Sequence, residues 1–136
     1  MSVLQYVWSY LIATVVFFAI DMVWLGLISV NLYKEQMGSL MRESVNWYAG
    51  VGFYLLYIVG IMIFVLVPAI KSGSWQQALI YGALFGLFCY ATYDLTNLAV
   101  INNWPLKLTF IDIAWGVVLT GSVSLVSYFV IQKFIV

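Results

Sequence analysis

Residues 76–131 read QQALIYGALFGLFCYATYDLTNLAVINNWPLKLTFIDIAWGVVLTGSVSLVSYFVI, two long apolar runs joined by one tight polar turn. Each run, Gln76 to Ile101 and Leu108 to Ile131, exceeds the ~20 mainly apolar residues that a helix needs to cross a bilayer. Between them, Asn102-Asn-Trp-Pro-Leu-Lys107 is a turn whose Pro105 stops the preceding helix. Neither run alternates apolar and polar residues as a lipid-facing barrel strand does. A helix closes its backbone hydrogen bonds internally, which hydrocarbon demands. The pair is therefore read as two transmembrane helices.

The same reading extends toward the N-terminus. Trp47 to Ile70 and Tyr6 to Asn31 are also of spanning length, which makes four helices. Met1-Ser-Val-Leu-Gln-Tyr6 has neither the basic region nor the small-residue cleavage site of a signal peptide, so the first run is expected to be a retained helix. Composition agrees with a lipid setting. The 136 residues are 65% hydrophobic and 7% charged, with mean hydropathy +1.07, too little polar material to cover a water-facing surface. The expected fold is all-α: an integral membrane bundle of four transmembrane helices, forming a single domain over residues 1–136. An even number of spans puts both termini on one side.

The connections carry most of the charge. In the first, Tyr33, Met37, Leu40, Met41 and Ser44 or Val45 fall near one helical face, while Lys34, Glu35, Arg42 and Glu43 lie mostly elsewhere. That pattern predicts a short interfacial helix over Tyr33 to Ser44, between the first and second spans. Trp8, Trp47, Trp75 and Trp104 sit near helix ends, where indole rings favour the headgroup zone.

Several function classes drop out. Five basic residues balance five acidic ones and are scattered, so nothing resembles a phosphate-binding stripe and no nucleic-acid partner is expected. Cys89 stands alone in apolar surroundings, which suits packing rather than a reactive thiol. Histidine is absent, which removes His-ligated haem, the usual His-bearing zinc sites and a His general base. No catalytic residue, metal ligand set or cofactor is assigned.

The informative residues are three acids inside the spans: Asp21 in the first, Asp94 in the third and Asp112 in the fourth. An unpaired charge in the bilayer core costs several kcal/mol, so such acids normally face the bundle interior and mark a functional site. Each opens a similar pattern: Asp21-Met-Val-Trp24-Leu-Gly26, Asp94-Leu-Thr-Asn97-Leu-Ala99 and Asp112-Ile-Ala-Trp115-Gly116. The spacing of three puts Trp24, Asn97 and Trp115 on the same helical face as the acid before them. All three acids fall in the half of the membrane opposite the termini. They are therefore expected to meet around one polar pocket, walled by Trp24 and Trp115 and extended by Tyr90, Tyr54, Tyr57 and the Gly116, Thr120, Ser124, Ser127 stripe. Carboxylates held close in a low dielectric do not all ionise, so the group is expected to hold a proton, neutralise a cation or hydrogen-bond a lipid head.

Asp21-x-x-Trp24-Leu-Gly26, Tyr93-Asp94-Leu-Thr96-Asn97-Leu, Trp104-Pro105 and Asp112-Ile-Ala-Trp115-Gly116, in that order, are motifs spread over nearly the whole chain. In these the chain resembles a bacterial family of small membrane proteins, domain of unknown function 2177. The resemblance implies a multi-pass protein of the bacterial inner membrane, with a lipid-related role, and brings no chemistry or site residues with it. Taken together, the expectation is a protein that binds or transports a small apolar, cationic or lipid-like molecule at Asp21, Asp94, Asp112, Asn97, Trp24 and Trp115. Membrane lipid, a small-molecule ligand and a second copy of the chain are the expected partners. A lipid-modifying enzyme or its accessory subunit, and a structural subunit of a membrane complex, are the alternatives.

Overall fold

The computed structural model describes residues 1–29 and 31–136. Helix α1 runs Val3–Val23 and continues as a π-helical turn, Trp24–Ile28. A short α2, Leu32–Met37, and a 3₁₀ turn, Gly38–Leu40, lead to α3, Trp47–Ile61. A second π-helical turn, Met62–Leu66, joins α3 to α4, Val67–Ser72, without breaking the span. Helices α5, Trp75–Val100, and α6, Leu106–Phe134, complete the chain, and there is no strand among the described residues. Four continuous helices are long and apolar enough to cross a membrane: Val3–Ile28, Trp47–Ser72, Trp75–Val100 and Leu106–Phe134.

The helix ends follow local chemistry. Ser2 and Gln5 form a reciprocal capping box, so α1 starts three residues before the apolar run itself. Asn46 and Ser74 accept from the backbone amides of Ala49 and Gln77 and so start α3 and α5. Gly73, at φ +65°, ends α4 in the left-handed conformation that glycine adopts without strain. Helix α5 ends before Pro105, which stands at the start of α6, as the turn reading requires.

Helix α6 is the axis of the bundle. It packs along α5 and against α1, while α3 reaches α1 and the second π turn reaches α5. Buried Phe17, Ile58, Ile61, Leu66, Leu119, Val123 and Ile131 make the apolar core. The α5–α6 seam is unusually close because small residues line it. A Cβ on Gly86 would run into the Gly116 carbonyl, one on Gly116 into the Tyr90 ring, and one on Gly82 into Ser124. Outward-facing Leu56, Phe64, Phe110 and Phe129 remain exposed, as a surface solvated by lipid requires.

Two expectations change in detail. The helix after the first span stops at Met37 rather than reaching Ser44, because Gly38 turns to φ +54° and ψ −122° and the chain beyond the 3₁₀ turn is irregular. Trp104 does not sit at the surface with Trp8, Trp47 and Trp75. It is buried and packs edge-on against Tyr93 at 5.9 Å, because Asn103 adopts a positive φ and folds the chain back under α5.

Candidate functional site

Asp21, Asp94 and Asp112 are 3%, 0% and 9% exposed, so none of them faces lipid. Counted from the nearer helix end at the usual rise, each lies roughly 10 Å inside the span, on the side opposite the termini. Asp94 and Asp112 face each other closely enough for their carboxyls to interact directly, and Asp21 lies within electrostatic reach of Asp112.

The two Asp-x-x-Trp segments brace each other across the bundle. Trp115, on α6, donates its indole N–H to Asp21 Oδ1 on α1 at 3.3 Å. Trp24, from the π turn that extends α1, donates to the Tyr33 hydroxyl at 3.0 Å, and Tyr33 donates to Asp112 Oδ1 on α6 at 2.8 Å. The indoles of Trp24 and Trp115 stack with their centroids 4.5 Å apart and their planes 8° from parallel. Each tryptophan therefore serves the acid of the other helix. The stacked indoles present their flat outer faces next to the Asp21 carboxylate that Trp115 holds.

Tyr33 lies on α2, outside the spans, and reaches in to cap the cluster. Burial, and then the Asp112 charge, push its phenol above the ordinary range, so it stays protonated and keeps donating to Asp112. Tyr54, on α3, places its hydroxyl beside Asp21. Beneath the acids, Tyr90 lies over Gly116, and the Tyr57 and Thr120 hydroxyls bond at 2.7 Å. Sequence spacing places Tyr54 only at the margin of the expected pocket and gives no sign of Tyr33 there. The signal for Tyr54 is that it shares a helical side with Gly50 and Tyr57, whereas Tyr33 falls in the interfacial stripe of the first connection.

Asn97 is the residue that the structure sets apart. It is half-buried and lies near the Tyr93 hydroxyl, without a hydrogen bond to any of the three acids. Lys34 and Lys107 are exposed, so neither acts as a buried counter-ion. Among the described residues, no group of three or more acidic, thiol or imidazole side chains is arranged to hold a metal ion. What the cluster lacks is a partner for Asp94. Among the described residues, no hydrogen-bond donor reaches either of its buried oxygens, nor Asp21 Oδ2.

The elements that carry these residues are also those that place the chain among known sequences. The family model DUF2177, described as a predicted membrane protein, matches residues 6–129. The chain belongs to that family. Every residue of the cluster lies inside the matched segment, as do the Asp-x-x-Trp segments and the Trp104-Pro105 turn. No curated protein and no solved structure matches the chain. The family description and the four candidate spans together support a multi-pass membrane protein, and any chemistry has to come from the cluster itself.

Proposed function

We propose that this DUF2177 protein binds or transports a small cationic, apolar or lipid-like molecule at its intramembrane carboxylates, in a bacterial inner membrane. The observation that supports this most is Asp94: fully buried, against a second acid, with both oxygens lacking a donor. Buried polar groups are otherwise almost always satisfied, and packing has no need of an acid here. A proton or a cation between Asp94 and Asp112 removes both the repulsion and the missing hydrogen bonds. Three acids with no buried base make a cation the complementary ligand, and the half-buried Trp24–Trp115 pair offers indole faces beside it. On the side of the first connection the site is closed by that pair and by Tyr33, so a ligand entering from there has to displace Tyr33. Four helices rarely enclose a full path, and transport would use a homodimer.

Butylammonium, a short primary ammonium, provides a direct test. Titrated into the protein in phosphatidylcholine nanodiscs, it is expected to change tryptophan emission saturably, because Trp115 is bonded to Asp21 and stacked on Trp24. Asp94→Asn should weaken the response by at least about tenfold, the equivalent of one modest ionic contact. An unchanged response in Asp94→Asn, or none in the wild type, would leave the carboxylates without this role.

A further inference from the structure

A second feature lies on the same side of the bundle, on its lipid-facing surface. Phe53, Leu56, Tyr57, Gly60 and Phe85 line a groove of about 300 Å³ between α3 and α5. The volume is at the low end for small-molecule sites and suits one chain rather than a whole lipid. The groove exists because Gly60 has no side chain: a Cβ there would come within 2.9 Å of the Phe85 ring. Leu56 and Phe53 on its rim are exposed, so it opens sideways into hydrocarbon.

The groove reaches the depth of the acids, and two tyrosines lie between them. Phe53 lies ~9 Å into its span from Trp47, the depth of the three carboxylates, and Gly60 lies ~20 Å in, near the middle of the bilayer. At the shallow end Phe53 packs edge-on against Tyr54 at 5.8 Å, and the Tyr54 hydroxyl lies beside Asp21. Along the wall Tyr57 meets Tyr90 at 6.2 Å, and Tyr90 lies within electrostatic reach of Asp21 and Asp112. An apolar slot thus descends from the level of an acidic site toward the midplane.

We infer that this groove is a lateral port, holding the alkyl chain of a single-chain cationic amphiphile whose ammonium head lies at the carboxylates. The inference rests on the carboxylate reading above and names the ligand class more narrowly. Charge complementarity selects the occupant. A tail alone would fit any lipid, but phosphate or carboxylate heads are repelled by three acids with no buried base beside them. Tyr54 and Tyr90 stand between the groove and the acids, so the head has to displace one of these side chains, which favours a small head such as a primary or singly substituted ammonium.

The test uses dodecylammonium carrying a diazirine in mid-chain, with a diazirine fatty acid of equal length as control, in phosphatidylcholine nanodiscs. The ammonium probe is expected to label the Phe53–Gly60 segment and Phe85 about tenfold more than the fatty acid does. Filling the groove, by Gly60→Leu or by Leu56→Trp at the exposed rim, should remove that excess while the butylammonium response persists. Leu56→Trp keeps the test valid if Gly60→Leu, which crowds Phe85, fails to fold. Equal labelling by the two probes would reduce the groove to ordinary hydrocarbon contact and overturn the inference. Excess labelling that survives groove filling, or a crosslinked dimer that shields the groove, would overturn it as well. In each of these cases a butylammonium response that depends on Asp94 keeps the carboxylate reading intact. Loss of that response in the wild type removes both.

Discussion

Gly86→Leu should prevent the bundle from assembling stably. The first side-chain carbon would occupy the space of the Gly116 carbonyl and lie 2.8 Å from Thr120 Oγ1, so the obstacle is helix backbone rather than a side chain that could swing away. Overpacking by extra methylenes typically costs about 1–3 kcal/mol, and here the displaced element is α6, on which α1 and α5 both pack. A loss above about 3 kcal/mol is expected, read as the midpoint of unfolding in a denaturing-detergent titration. Gly52→Leu is the matched control, because a Cβ at Gly52 meets nothing within 4 Å, and it should shift stability by no more than about 0.5 kcal/mol. Equal stability of the two variants would mean that the α5–α6 seam is looser than described.

Asp94→Leu should act in the opposite direction. Asp94 is fully buried, both its oxygens lack a donor, and its neighbour is another acid. An unsatisfied buried polar group costs about 1–3 kcal/mol, and replacing buried charged groups by apolar ones of similar volume is often neutral or stabilising. The proton held with Asp112 offsets part of that cost, so the variant is expected to gain about 1 kcal/mol in the same titration, while losing the butylammonium response. Such a pairing separates Asp94 from a structural role, because a residue kept for packing does not improve the fold when it is removed. A loss of more than about 1 kcal/mol would instead show that Asp94 holds the bundle together.

The contrast between these residues shows what a sequence of this kind makes legible. The four spans were readable because hydrocarbon leaves few alternatives to a long apolar helix, and only their ends moved, as at Ser2, where the capping box starts α1 early. The inward facing of Asp21, Asp94 and Asp112 was readable for the same reason, since lipid penalises an outward acid. The partners were not. Tyr33 is 79 residues from Asp112 in the chain, and their bond depends on how a π turn after α1 swings α2 back over the bundle. The exchange of tryptophans between the two Asp-x-x-Trp segments likewise depends on α1 and α6 lying side by side, which helical spacing within either segment does not encode. Asn97 shares the helical position of the two tryptophans but falls near Tyr93 instead, because equal spacing on a helix says nothing about what faces it. Trp104 had the surroundings of an interfacial residue, and only the backbone reversal at Asn103 brings it inside.

For Asp94 and Asp112 to act as a cation site, they must hold one proton between them until a cation displaces it. Infrared spectroscopy of the protein in nanodiscs at neutral pH reads this directly through the carbonyl stretch of a protonated carboxyl, identified by its shift in heavy water. The wild type should show one such band, which falls on adding butylammonium. The band should be lost in Asp94→Asn and altered in Asp112→Asn, and it should be unchanged in Glu35→Gln, whose carboxyl is exposed on α2. A wild type without a protonated-carboxyl band, or a band that persists unchanged in both aspartate variants, would mean that the pair holds no exchangeable proton.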